Sequence, residues 1–153
     1  MESNKTKIKV CGLKHPLEVK CAADYGAQWY GMIFEKDSPR FITYKQAEVL
    51  LSSTPNCIEP VAVTVNPSYS KIQHLYKLGF KCIQLHGNES INFCKSLKKE
   101  FNFKIIKAIS VNSLKDLEYA NSYKNSVDWI LFDYKDDLLA GGTGKSFDWN
   151  LLE

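Results

Sequence analysis

The stretch Trp129-Ile130-Leu131-Phe132-Asp133 combines an apolar β-strand pattern with a carboxylate at its end. A glycine-rich segment, Gly141-Gly142-Thr143-Gly144-Lys145, follows shortly afterwards in the chain. In parallel α/β proteins, catalytic groups gather where strands end and the loops to helices begin. The stretch therefore predicts a parallel strand that delivers Asp133 to a functional site.

The same pattern recurs along the rest of the chain. Short apolar runs alternate with amphipathic segments that have helical spacing, and the runs predict strands at 8–11, 29–34, 61–65, 82–85, 105–109 and 129–132. Continuous apolar strands separated by helices are typical of a parallel sheet covered by helices. We therefore expect a parallel α/β fold.

Two parallel architectures fit this alternation. An open doubly wound sheet suits the length of 153 residues, because a complete (β/α)8 barrel typically needs about 250. Polar or reactive side chains at every strand end favour the barrel instead. We predict an α/β chain of the (β/α)8 TIM-barrel family, incomplete here, with six parallel strands, five helices, and units seven and eight missing. A single, partial barrel domain is expected to span residues 1–153.

Local signals place the helix starts. Pro16 suits the first turn of a helix, and Thr43-x-x-Gln46 has the spacing of a capping box. Ser113-x-x-Asp116 predicts another start, and Asn88 is the expected cap of the helix after the fourth strand.

Composition narrows the class of protein. Hydrophobic residues make up 44% and charged residues 24%, and the net charge is +3 with scattered lysines. No basic stripe indicates a nucleic-acid partner, and no apolar run indicates a membrane span or a signal peptide. The five cysteines are widely spaced and the three histidines lack metal-ligand spacing, so we expect free thiols, no metal site and a cytoplasmic location.

Two predicted strand ends carry groups suited to proton transfer. Cys11, followed by Gly12, is a nucleophile, a general base or a small buried apolar residue. Asp133 is either a general acid in a partly buried site or a carboxylate that caps a loop. The residues alone leave these alternatives open.

Other strand ends carry groups suited to binding. Arg40, the single arginine, fits bidentate binding of a carboxylate or phosphate, or else a surface ion pair. His86 either orients a ligand or has a structural role. The Gly141–Gly144 segment resembles a backbone cradle for an anion, although such a short glycine motif is a weak signal by itself. Lys107 lies within the fifth strand, where it would point inward and pair with an acid; no functional role is assigned to it.

Taken together, these positions resemble the phosphoribosylanthranilate isomerase family of tryptophan biosynthesis. The matching segments occur in family order and cover essentially the whole chain. They are Lys9-Val10-Cys11-Gly12-Leu13, Gly31-Met32-Ile33-Phe34, Ser38-Pro39-Arg40, Val63-Thr64-Val65-Asn66, Gln84-Leu85-His86-Gly87, Lys107-Ala108-Ile109, Asp133, Gly141-Gly142-Thr143-Gly144 and Phe147-Asp148-Trp149.

The resemblance implies an Amadori rearrangement of N-(5′-phosphoribosyl)anthranilate to a carboxyphenylamino-deoxyribulose phosphate. It implies Cys11 as the general base and Asp133 as the general acid, with Arg40 on the anthranilate carboxylate. His86 and Gly141, Gly142, Thr143 and Gly144 are the other expected substrate-binding residues. The small phosphorylated substrate is the expected partner, and no metal or organic cofactor is implied.

The family barrel has eight strands, whereas this chain ends where the sixth helix would begin. Phosphate sites in such barrels are usually built by the loops after strands seven and eight. We therefore expect these 153 residues alone to lack the main phosphate anchor, and activity to suffer. The alternatives are a non-catalytic partial barrel that self-associates or complements another chain through open sheet edges, and an unrelated open-sheet thiol enzyme using Cys11.

Overall fold

A computed structural model of the chain describes residues 6–134 and 148–152. Strands and helices alternate as the sequence predicts. In chain order they are β1 (Lys9–Cys11), α1 (Pro16–Asp24), β2 (Trp29–Ile33), α2 (Tyr44–Ser53), β3 (Glu59–Thr64), α3 (Tyr69–Lys77), β4 (Cys82–Leu85), α4 (Ile91–Phe101), β5 (Lys104–Val111), α5 (Leu114–Ser122) and β6 (Trp129–Tyr134), followed by a short 3-10 helix (Trp149–Leu152).

The chain divides into two compact units, residues 1–83 and residues 84–153, and the boundary falls within β4. In the first unit the strands follow chain order, and β2 pairs in parallel with β1 and with β3. Gly31 is the register partner of Cys11 on one side and of Val61 on the other. Cys11 at the end of β1 therefore lies directly beside a residue that has no side chain.

In the second unit β5 and β6 form a parallel pair. Ser110 is the register partner of Asp133, so both residues lie toward the carboxyl ends of their strands. The β5 segment from Ile105 to Ile109 is buried throughout and includes one charged residue, Lys107, which is only 1% exposed. A lysine at such a position needs partners, since an unpaired buried charge is very costly.

Most of the helix starts agree with the sequence. Pro16 opens α1, and Thr43 and Gln46 form the expected capping box: the Gln46 amide donates to Thr43 Oγ1 at 3.3 Å, and Gln46 Oε1 accepts from the Thr43 amide at 2.9 Å. The Asp116 carboxylate accepts the Ser113 amide at 2.9 Å.

The predicted cap at Asn88 is wrong. The first residue of α4 is Ile91, and its cap is Ser90, whose Oγ accepts from the Phe93 amide at 3.2 Å. Both residue types are good N-caps, so a sequence that offers two within three positions does not settle the start.

Among the helices in the described part of the chain, none has the length and apolar character needed to traverse a lipid bilayer.

Candidate active site

Cys11 and Arg40 both belong to the first unit, and the structure brings them together. Arg40 Nη1 donates to the carbonyl oxygen of Cys11 at 3.0 Å, which ties the loop after β2 to the end of β1. The guanidinium carries five N–H donors in a planar fork, so donors remain for a carboxylate. The arginine is exposed.

Glycine at position 12 makes this contact possible. Gly12 has a φ of +87°, a conformation that residues with a side chain rarely adopt. A Cβ atom there would lie 2.6 Å from Cδ of Arg40, closer than real Cβ contacts allow. The Gly12 amide also donates to the Gly31 carbonyl at 2.8 Å, which fixes the turn after β1.

Gly31 supplies the space for the thiol. A Cβ atom at Gly31 would lie 2.8 Å from Cys11 Sγ and 3.2 Å from Lys9 Nζ. The Cys11 thiol, which forms no disulfide, therefore occupies the volume that any other residue at 31 would fill. The role of Gly31 was missed from the sequence, although a glycine inside a strand is a known signal of close approach.

In the second unit, the structure brings Asp133 together with His86. His86 Nε2 lies 3.1 Å from Asp133 Oδ2, and the side chains are 22% and 29% exposed. The other carboxylate oxygen of Asp133 accepts from the amide of Tyr134 at 2.8 Å. The carboxyl group is thus held at both oxygens yet remains reachable from solvent.

The hydrogen bonds around His86 define its tautomer. Gln84 Nε2, which is a donor, lies 3.1 Å from Nδ1 of the ring, so Nδ1 accepts and Nε2 carries the proton toward Asp133. Burial lowers the pKa of His86 below its ordinary value of 6.5, although the Asp133 charge opposes this shift. His86 is therefore a neutral imidazole near pH 7 that donates its Nε2–H to Oδ2 of Asp133.

The expectation that Lys107 points inward and pairs with an acid is confirmed. Its Nζ lies 3.2 Å from Glu89 Oε2, and the two side chains are 1% and 2% exposed. Glu89 comes three residues after His86 in the loop that follows β4. It was missed from the sequence, because the loop's conformation decides which acid reaches Lys107.

A cavity of about 500 Å³ opens beside the loop after β2. Its lining includes Glu35, Tyr44 and Lys71, and Lys71 Nζ bonds to Glu35 Oε1 at 2.7 Å. Burial, assisted by the Glu35 charge, raises the pKa of Tyr44. Neither Cys11 nor Arg40 lines this cavity, so it lies apart from the predicted site residues of the first unit.

Gly141, Gly142, Thr143 and Gly144 lie outside the described residues. Within residues 6–134 and 148–152, no group of three or more His, Cys, Asp or Glu side chains stands ready to hold a metal ion.

Fold and site together define a class of protein: an α/β enzyme with a thiol at the end of β1 and a carboxyl group near the end of β6. The family model described as N-(5'phosphoribosyl)anthranilate (PRA) isomerase matches residues 8–153. The chain belongs to this family, which makes it an isomerase of tryptophan biosynthesis.

Individual relatives agree. Over 149 residues the chain is 40% identical to the N-(5'-phosphoribosyl)anthranilate isomerase of Brucella canis, an alignment that covers 95% of this chain and 67% of that protein. It is 34% identical to the isomerase of Zymomonas mobilis, again over 149 residues, covering 96% of this chain and 71% of that protein. A third relative, from Trichodesmium erythraeum, is 35% identical, with 65% of its length covered. The chain thus spans about two thirds of the length of these relatives.

Solved structures of isomerases share the fold of this chain. The crystal structure of phosphoribosyl anthranilate isomerase from Thermotoga maritima superposes with a TM-score of 0.86 at 30% identity, covering 97% of this chain and 70% of that one. A second isomerase, solved in complex with reduced 1-(o-carboxyphenylamino)-1-deoxyribulose 5-phosphate, gives 0.78 at 28% identity and covers 86% of this chain and 66% of that one. The prediction of an incomplete (β/α)8 fold is confirmed, and the open doubly wound sheet is not.

Proposed function

We propose that Cys11 and Asp133 are the base and the acid of an Amadori rearrangement of N-(5′-phosphoribosyl)anthranilate. The observation that carries the proposal is that each group lies within the last two residues of a parallel strand in a chain of the isomerase family. The isomerase complex with a reduced carboxyphenylamino-deoxyribulose phosphate supports a small phosphorylated molecule as the ligand.

Asp133 acts first in this proposal. Its carboxyl proton passes to the ribose ring oxygen, the bond from that oxygen to the anomeric carbon breaks, and the nitrogen lone pair forms a carbon–nitrogen double bond. The resulting Schiff base is open-chain, and the charge is left on the Asp133 carboxylate. The Nε2–H of His86, 3.1 Å from Oδ2, stabilises that carboxylate.

Cys11 acts second. Its thiolate removes the proton from the carbon next to the Schiff base, and the electron pair moves to form an enolamine. Tautomerisation of the enolamine to the ketone completes the isomerisation with no net gain or loss of atoms. The gap at Gly31 lets Sγ lie free of a neighbouring side chain from β2.

Arg40 binds the anthranilate carboxylate. The guanidinium lies next to Cys11 through its bond to the Cys11 carbonyl, so it would hold the aromatic end of the substrate near the base. A bidentate pair with a carboxylate suits its planar fork of donors. His86 and, on sequence alone, the segment Gly141-Gly142-Thr143-Gly144 complete the proposed substrate contacts.

The experiment uses the chain as it stands and the chain extended by the C-terminal third of the Brucella isomerase. We expect extension to raise product formation, and Cys11→Ala or Asp133→Asn to lower kcat of the extended chain by about 10²- to 10⁴-fold, the usual contribution of a general acid or base. Cys21→Ala and Asp24→Asn, which change exposed residues of α1, are the matched controls. Activity that survives both substitutions at the site would refute the assignment.

We propose self-association as a second property. Ile8, Leu17 and Tyr25, near β1 and along α1, are large hydrophobic side chains that are 50%, 81% and 86% exposed. A solved structure with 28% identity and a TM-score of 0.81 is of monomers generated from the dimeric isomerase of Thermotoga maritima. Sedimentation of the chain over a concentration series should show dimers, and Leu17→Lys should weaken them; a monomer at every concentration would exclude the proposal.

For location, we propose the cytosol. All five cysteines are free thiols, which is the usual state in a reducing compartment.

A further inference from the structure

The second unit contains a buried ion pair to which the proposed reaction gives no role. Lys107 Nζ donates to the carbonyl oxygens of Gly87 at 2.7 Å, of Ala108 at 2.8 Å and of Leu85 at 3.3 Å, besides its contact with Glu89. Replacing a buried ion pair by apolar residues is often neutral or stabilising, so stability alone is a weak reason for such a pair.

Both members of the pair hold the same residue, Gly87. The amide of Gly87 donates to the two carboxylate oxygens of Glu89, each at 3.1 Å, while its carbonyl oxygen accepts from Lys107. The Glu89 backbone is itself held by the residue that follows α5, because the Tyr123 hydroxyl donates to the Glu89 carbonyl at 2.8 Å. Gly87 is therefore clamped at its N–H and at its C=O by two side chains that hardly meet solvent.

His86 directly precedes this clamped residue, so the clamp fixes the backbone position from which the His86 side chain extends. The groups that act on the ring are Gln84 on β4, Lys107 on β5, Glu89 in the loop and Asp133 on β6. Lys107 and Glu89 act on the ring with opposite signs, so together they add little net charge beside it. Their effect on His86 is consequently one of position rather than of charge.

We infer that Lys107 and Glu89 are positioning residues, which act through Gly87 and His86 to hold the Asp133 carboxyl group in its reactive orientation. The inference rests on the proposed role of Asp133 as the general acid. The chain of contacts runs from the ion pair to the Gly87 peptide, from there to the His86 ring, and across 3.1 Å to Asp133 Oδ2.

The test removes both charges and keeps the side-chain volumes, in the double variant Lys107→Met/Glu89→Gln. Nitrogen-15 NMR of the chain itself reads the protonation of the His86 ring, with His86→Gln assigning the signals. We expect the wild-type ring to hold its proton on Nε2, and the double variant to show a mixture of tautomers. Lys98→Met, which removes a lysine from the more exposed pair with Asp128, is the control and should leave the tautomer unchanged.

Kinetics of the extended chain give the second measurement. Displacement of a reacting group by about 1 Å can cost about 100-fold, so we expect kcat of the double variant to fall between about 10- and 100-fold with KM little changed. A single Nε2–H tautomer together with unaltered kcat would overturn the inference. If the double variant does not fold, the isosteric single variant Glu89→Gln is measured in the same way, with the same two outcomes.

The two measurements separate this inference from the proposed function. If Asp133→Asn leaves activity intact, the proposed acid is wrong, whatever the NMR shows. If Asp133→Asn abolishes activity while the double variant keeps both tautomer and kcat, only the positioning role fails.

Discussion

The two units position the proposed base and the proposed acid by different physical means. In the first unit, glycines at 12 and 31 leave space for Arg40 and for the Cys11 thiol. In the second unit, one hydrogen bond from Gln84 and a buried ion pair hold His86 against Asp133. The thiol is thus placed by steric room and the carboxyl group by directed polar contacts. Substitutions that add volume should damage the first unit, and those that remove charge or hydrogen bonds should damage the second.

The largest effect is expected at Gly31. Gly31→Ala puts a methyl group 2.8 Å from Cys11 Sγ, so the thiol has to move away from its position at the end of β1. We expect kcat of the extended chain to fall by about 100-fold, as for other displaced reacting groups. Overpacking in the sheet should also lower the free energy of unfolding by about 1 to 3 kcal/mol, measured by urea titration. An unchanged kcat would show that the missing side chain at Gly31 does not determine the position of the Cys11 thiol.

The next prediction distinguishes backbone strain at a glycine from a steric clash with Arg40. Gly12 and Gly26 have nearly the same φ, +87° and +86°, but a Cβ at Gly12 meets Arg40 whereas one at Gly26 meets nothing within 4 Å. Gly26→Ala should cost about 1 to 2 kcal/mol of unfolding free energy, from left-handed strain alone. Gly12→Ala should cost more and should raise KM, because Arg40 is displaced. If both variants lose the same unfolding free energy and keep the wild-type KM, the proposed role of Arg40 in substrate binding is wrong.

A smaller effect concerns pH and the second unit. Because burial lowers the folded pKa of His86 below 6.5, the unfolded chain binds more protons once the pH falls toward that value. This part of the stability is present above pH 6.5 and is lost as the pH drops through the folded pKa, with a slope of at most about 1.4 kcal/mol per pH unit.

Urea titrations between about pH 7.5 and pH 5.5 measure this slope. His86→Gln should flatten it, whereas His74→Gln, in the first unit, serves as the control. An equal slope in wild type and His86→Gln would mean that the buried imidazole is not destabilised by protonation.

The sequence predicts part of the His86 arrangement and not the rest. Gln84 lies in β4 and His86 directly follows the end of that strand, so in an extended backbone these two residues, two positions apart, share a face. Lys107, inside an apolar strand, had to face an acid, and this prediction is confirmed. Which acid it meets depends on the path of the loop after β4, because the conformation of the two residues between Gly87 and Ser90 decides where the Glu89 side chain lies and where α4 starts. Local propensity does not fix such a path, because tertiary contacts with Lys107 and Tyr123 determine it.

The smallest effect compares the opening of the two units through one buried cysteine in each. Cys82 and Cys94 are fully buried, and burial raises the pKa of Cys94 to about 11. Since the thiolate is the reactive form, both should resist alkylation at neutral pH while the exposed Cys21 and Cys57 are modified quickly.

The alkylation rates of these two buried thiols also test the proposed single domain of residues 1–153. If the chain opens as one cooperative domain, Cys82 and Cys94 become reactive together as urea rises, after correction for the intrinsic rate of each thiol in the unfolded chain. If the clamp around Gly87 makes the second unit open later than the first, Cys94 stays protected at urea concentrations that expose Cys82, and Lys107→Met/Glu89→Gln removes the delay. Mass-spectrometric mapping of the modified cysteines decides between these results, and early exposure of Cys94 alone would contradict both.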